Sequence, residues 1–255
     1  MRTSIALAAT VLALSLPGLA ACKKSSSSQT AAATTADQSL KITQSSPPPG
    51  GSWLDVVNTT QDGYVRGNPN AKVKLLEIAS LGCPVCKRFA DEGVPPLKEL
   101  VKSGQVSWEI RPYIIHGPID LAANLIARCN GPQGFFPLAE AMYKDQLSWM
   151  GTIEKLPPAE LDQMQSLPAQ QVVKQMAERS GLQTLAAQHG LPSGKSNQCL
   201  ADQKALENEV AATARVTDQY PDFKGTPTFV LNGKLLDQTS NWNALKPQLE
   251  AALKS

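Results

Sequence analysis

Apolar and polar positions change period several times along this chain, and each change marks an element. After Arg2 an apolar or small-residue stretch of twelve residues covers 5–16, followed by Pro17 and Gly18. It is too short to span a bilayer, which takes about twenty residues. Residues 23–51 hold hardly any large apolar side chain and close on Pro47-Pro48-Pro49-Gly50-Gly51. Such a segment cannot bury enough surface to offset the entropy of ordering it, which predicts a flexible tether. Residues 53–66 read as a polar lead-in, an edge strand or hairpin, and Gly67-Asn68-Pro69-Asn70 as a turn.

A buried strand is expected over 71–79, where Val73, Leu75, Leu76 and Ile78 fall close together. The pattern turns helical from Cys83 to about Gly93, breaks near Pro95-Pro96, and resumes through Leu97, Leu100 and Val101 to Gly104. Val106, Trp108, Ile110, Tyr113 and Ile115 then predict a second strand over 106–115, completing a strand–helix–strand unit. From Asp120 to about Tyr220 the period stays helical, with breaks at Asn130-Gly131-Pro132, Gly151-Thr152, Pro157-Pro158, Pro168 and Gly190-Leu191-Pro192. The last of these helices is expected over 197–218, with Leu206, Val210 and Ala214 on its apolar side. A hairpin follows, 228–231 and 234–236 around Asn232-Gly233, a pair that supplies the positive φ a tight turn requires. A closing helix is expected over 242–254.

Chemistry enters at the first strand-to-helix junction, where Cys83-Pro84-Val85-Cys86 sets two thiols two residues apart. At a helix N-terminus, unpaired amides and the macrodipole favour a thiolate, the species that attacks disulfides. A second thiol one turn away can close the resulting mixed disulfide, so the pair suits thiol–disulfide exchange. Pro84 costs nothing there, because the first helical turn leaves its amides unbonded. A permanent disulfide or half a zinc site is the dull reading. Zinc would want a second close pair or histidines at ligand spacing, and Cys129, Cys199, His116 and His189 are isolated in the sequence. Glu77, six positions before Cys83 in an otherwise apolar strand, is either a desolvated acid that accepts the Cys86 proton or a strand-end residue facing water. Lys87 and Arg88 add positive potential near the thiolate or form a solvated helix face. His116, Trp108 and Trp149 are assigned to packing or surface roles.

The leader sets the compartment. Residues 1–21 have the charge, apolar stretch and small residues of a secretory signal, and Leu19-Ala20-Ala21-Cys22 resembles a bacterial lipobox. That resemblance implies lipidation at Cys22, with 22–51 as anchor and tether; an ordinary signal with a spare thiol is the alternative. Lys23 after the cysteine leans toward the outer membrane. Five cysteines less Cys22 leave two pairs, in a compartment that permits disulfides. A net charge of +2 and the lack of a basic stripe argue against nucleic acid as a partner.

Three segments carry a family resemblance: 76–86 with Phe89 after it; Ala127-Arg128-Cys129-Asn130 with Gly134-Phe135-Phe136; and Gly225-Thr226-Pro227-Thr228-Phe229-Val230 with Asn232-Gly233. Together they resemble the DsbA-like branch of the thioredoxin superfamily. The resemblance implies an α/β thioredoxin fold (βαβ…ββα) over 52–255, with a helical insertion at about 119–220. It also implies Cys83 as nucleophile, Cys86 as resolving thiol, an acid at Glu77, and a cis Thr226-Pro227 bond beside the dithiol to which a substrate strand pairs. Relatives often place histidine where Val85 stands, so a less extreme oxidant is expected. Cys129 and Cys199 are read as a disulfide clamping the insert, with a second redox pair as the rival.

The function expected is an envelope thiol–disulfide oxidoreductase facing the periplasm, monomeric, with no metal and no organic cofactor. Its partners would be cysteine-containing envelope proteins, the membrane through the lipid, and a membrane redox protein that resets the dithiol. Two rivals stand beside it: a non-catalytic chaperone or binding lipoprotein, and a dithiol metal-handling protein for a soft ion such as Cu(I).

Overall fold

Strand β3 (Val73–Ala79) is the backbone of the molecule because it is buried on both faces; only Lys74 along it is exposed. That explains its near-continuous apolar sequence, the mark of a central strand. In the computed structural model, which describes residues 46–255, β3 pairs in parallel with β4 (Val106–Pro112) and antiparallel with β5 (Thr228–Leu231). The lead-in supplies β1 (Val57–Thr59) and β2 (Tyr64–Gly67), a hairpin whose second strand runs antiparallel to β4. With β6 (Lys234–Leu235) at the far edge the sheet order is β1-β2-β4-β3-β5-β6. The signal segment, Cys22 and most of the tether lie outside the described residues.

Between β3 and β4 run α1 (Pro84–Glu92) and α2 (Val94–Lys102). The expected break near the two prolines is the start of α2, whose first turn accommodates a proline because its amides have no carbonyl to bond. Strand β4 ends at Pro112, short of the expected Ile115, because the chain turns there toward α3 (Pro118–Arg128). The insert continues through α4 (Gly131–Lys144), α5 (Gln146–Glu154), α6 (Pro158–Gln165), α7 (Ala169–Ser180), α8 (Leu182–Gln188), α9 (Ser193–Leu200) and α10 (Gln203–Gln219). The sequence then returns to β5, β6 and α11 (Trp242–Lys254).

Two expectations for the insert need correction. The helix expected over 197–218 is split into α9 and α10, because the Asp202 side chain accepts the Ala205 amide at 3.0 Å and starts a new helix. Its inward face is Leu206, Glu209, Ala212 and Val216, while Val210 and Ala214 are exposed. The apolar period misleads there because Glu209 is buried as an ion pair with Arg128. The hairpin turns through Asn232 (φ 48°) and Gly233 (φ 84°), the left-handed geometry its sequence demands.

The main core lies on one face of the sheet. Leu75 and Trp108 meet Phe89, Leu97, Val101, Leu245 and Leu249 there, together with Phe135, Phe136 and Met142 of the insert. The opposite face carries a smaller cluster of Leu76, Ile78, Val216 and Val230. Phe89 of α1 packs against Phe229 of β5 with ring centroids 4.7 Å apart, which ties the dithiol helix to the strand after Pro227.

Candidate active site

The end of β3 delivers Ser80, Leu81 and Gly82 to Cys83, which stands as the N-cap of α1 in extended conformation (φ −75°, ψ 122°). Pro84 opens the helix and Cys86 follows on its buried side. Both cysteines are free thiols, Cys83 at 5% exposure and Cys86 at 0%. The Cys83 thiol donates to the Thr226 carbonyl at 3.3 Å, and the Thr226–Pro227 peptide is cis. Segments nearly 150 residues apart in the chain therefore meet at one sulfur, the separation being 143.

The two sulfurs are electrostatically unequal. A hydrogen bond from Cys86 lowers the Cys83 thiol to about 5, with help from Thr226 and the amides of Cys86 and Val85 and against the opposing effect of burial. Cys86 is pushed up, mainly by burial, with its bond to Cys83 and the nearby charge of Glu77 adding to the effect. The surroundings thus favour ionisation at Cys83 and protonation at Cys86. Val85 is 37% exposed and contributes no charge, while Lys87 is engaged by Asp91 at 2.7 Å.

Glu77 lies within the sheet at 2% exposure, which removes the water-facing alternative for its side chain. Burial raises it to about 8. One oxygen accepts the Trp108 indole N–H at 2.9 Å, a bond that favours the carboxylate. A hydrogen bond to a charged group is worth about 1.5–3 kcal/mol, and burying an unpaired carboxylate costs more, so desolvation wins. A cavity of about 10 Å³ is bordered by Glu77, Trp108, Tyr143 and Glu140.

Several groups at this site escape sequence reasoning. Trp108, expected in a packing or surface role, is buried, and its N–H also holds Glu77. Tyr143 donates to the Ser80 carbonyl at 3.2 Å, and Gln146 donates to the carbonyls of Leu81 at 2.7 Å and Cys83 at 3.0 Å. Asp120 accepts from Ser80 and Gly82. No local signal marks Tyr143 or Gln146; Asp120 announces itself only as an acid in a first helical turn. Away from the dithiol, Cys129 and Cys199 are joined by a disulfide between the C-cap of α3 and α9. His116 is exposed and Trp149 is buried, its indole donating to the Met142 carbonyl at 2.9 Å. Among the described residues no three or more His, Cys, Asp or Glu side chains converge on a possible metal position.

The family model described as "Thioredoxin" matches residues 59–251. This chain belongs to the thioredoxin family. Its α/β architecture with a helical insertion is also that of DsbA-like structures, as expected from the sequence. A protein-disulfide isomerase from Novosphingobium aromaticivorans is 29% identical and superposes with a TM-score of 0.72 over 76% of this chain and 98% of that one. Wolbachia pipientis alpha-DsbA1, 19% identical, shares the fold with a TM-score of 0.57 over 77% of this chain and 93% of that one. In sequence, a Rickettsia bellii protein named as a protein-disulfide oxidoreductase is 25% identical over 197 residues, 76% of this chain. The chain spans 65% of that relative's length, and 55% of a similarly named Rickettsia felis protein at 26% identity over 70% of this chain.

Proposed function

We propose that this family member is an envelope thiol–disulfide oxidoreductase acting through Cys83 and Cys86. The observation that carries the reading is the inequality of the two sulfurs: a thiol lowered to about 5 at a helix N-terminus, one turn from a buried thiol raised by its surroundings. In the reducing direction the Cys83 thiolate attacks a client disulfide, forming a mixed disulfide and releasing one client thiolate. Glu77 in its ionised form, a minority below its raised value of about 8, takes the Cys86 proton, and the Cys86 sulfur attacks Cys83 to release the second client thiolate. Two electrons pass from the pair to the client. Oxidation of client thiols is the same sequence reversed, so the redox partner sets the direction.

Cys83 at about 5 sits above the roughly 3.5 of a strong oxidase, in keeping with the uncharged Val85. Thr226 and Pro227 form the shelf on which an extended client segment would pair, next to the sulfur that Thr226 already contacts. Cys22 would carry the lipid, with 22–51 giving the domain reach from the membrane on the periplasmic side, the outer membrane being favoured by Lys23. The working form is a monomer whose clients are cysteine-containing envelope proteins, and a membrane redox protein resets the dithiol. The test is catalysis of insulin reduction by the full chain and by Cys83→Ala. Activity in the parent that disappears in the variant is expected. Activity that survives in the variant would refute the assignment.

A further inference from the structure

We propose that Asp120 is a positioning residue for the nucleophile: from the first turn of α3 its carboxyl fixes the loop that carries Cys83, so the helical insert sets the geometry of the dithiol. The inference rests on the proposed role of Cys83 and goes beyond it, since nothing in a Cys-Pro-Val-Cys motif requires a residue from the insert.

Asp120 is fully buried, at 0% exposure. One oxygen accepts the Gly82 amide at 3.0 Å and the Ser80 hydroxyl at 3.1 Å. The other accepts the amides of Ile115 and His116, each at 2.9 Å, and the same hydroxyl at 2.9 Å. One side chain thus gathers donors from the loop before Cys83, the loop after β4 and a hydroxyl between them. The Ser80 oxygen in turn accepts the Gly82 amide at 3.1 Å. The fit is close enough to require glycine: a Cβ on Gly82 would stand 2.7 Å from the Asp120 carboxyl oxygen and 2.8 Å from His116 Cδ2.

The rest of the loop is held by the insert as well. Tyr143 takes the Ser80 carbonyl, and Gln146 takes those of Leu81 and Cys83. Side chains of the insert therefore bond all four residues from Ser80 to Cys83. What they fix is the position of Cys83 Sγ against Thr226 and against the amides that favour its ionisation. An active-site displacement of about 1 Å can cost about a hundredfold in rate, so a loop held this tightly matters to chemistry as well as to folding.

Asp120→Asn tests the idea with a sign. Whichever way the amide turns, its NH₂ meets backbone N–H groups where an oxygen had accepted them, so the loop must shift. Positioning requires the Cys83 titration, read by iodoacetamide alkylation against pH and by thiolate ultraviolet absorbance, to move up toward an ordinary thiol. A shift of about one unit slows alkylation near pH 5 about fivefold. Loss of a nearby negative charge alone would move it down, and a purely structural role would lower thermal stability while leaving it in place. Either result overturns the proposal. Ser80→Ala removes only the bridging hydroxyl and is expected to shift the titration the same way by less. If Asp120→Asn does not fold, an unmoved titration in Ser80→Ala overturns the proposal by itself. A parent protein whose Cys83 resists alkylation below neutral pH would instead defeat the assignment of Cys83 as nucleophile.

Discussion

The two cysteine pairs of this domain carry the same functional group in opposite circumstances. Cys83 and Cys86 are three positions apart, at the start of a helix and against a strand from the far end of the chain, and they are free thiols. Cys129 and Cys199 are 70 positions apart, join the end of one insert helix to another, and are bonded. The first pair has an internal asymmetry: one sulfur is held toward thiolate by hydrogen bonds while burial holds its neighbour as a thiol. The second pair closes a long loop within the insert. The helix start and the buried acid behind it set the first pair apart from the second, which has sulfurs but not the same surroundings.

Losing each pair is expected to have opposite consequences. Cys83→Ala is expected to abolish insulin reduction while leaving thermal unfolding nearly unchanged. Residual turnover above background would move the chemistry elsewhere. Glu77→Gln comes next. It is expected to slow resolution of the mixed disulfide about a hundredfold and its formation far less, in stopped-flow measurements of the two steps. Equal slowing of both steps would remove the proton-transfer role.

The same variant has a pH signature. Between about pH 4.5 and 8 the native state keeps a proton on Glu77 that the unfolded chain sheds, so this group makes stability fall as pH rises. Denaturant titrations of Glu77→Gln are expected to lose that slope, and the variant is expected to gain relative to the parent at pH 8. A slope unchanged by the substitution would place the native Glu77 near its ordinary value.

Replacing both Cys129 and Cys199 by alanine is expected to cost up to about 4 kcal/mol in denaturant unfolding and to leave turnover within about twofold. A collapse of activity with stability retained would make the second pair redox-active. The smallest effect expected is for Trp108→Phe. Without the indole donor the Glu77 carboxylate is less favoured, and the pH profile of resolution is expected to shift upward by a fraction of a unit. An unmoved profile would return Trp108 to packing alone.

How much of this was legible in the sequence depends on the range of the interactions. The dithiol, its helix start, the buried strand and the Asn232-Gly233 turn are local features, and the apolar period or turn chemistry reveals each of them. Glu77 was legible as an acid in an apolar strand, while its partner was not, because Trp108 belongs to the neighbouring strand and reads as one more alternating apolar residue. The α9–α10 break was missed because a single capping aspartate interrupts an otherwise periodic stretch. The buried face of α10 was misplaced because Glu209 enters the core only with Arg128 from another helix. Asp120, Tyr143 and Gln146 lie 38 or more positions from the groups they bond in the loop before Cys83, too far for any periodicity to connect them.

Trapping the mixed disulfide shows which sulfur attacks the client. Reduced Cys86→Ala full-length protein is mixed with a disulfide-bearing client and quenched in acid, and the linked peptides are mapped by mass spectrometry. A stable adduct through Cys83 is expected. Absence of an adduct, or a linkage through Cys129 or Cys199 with Cys83 left free, would contradict it.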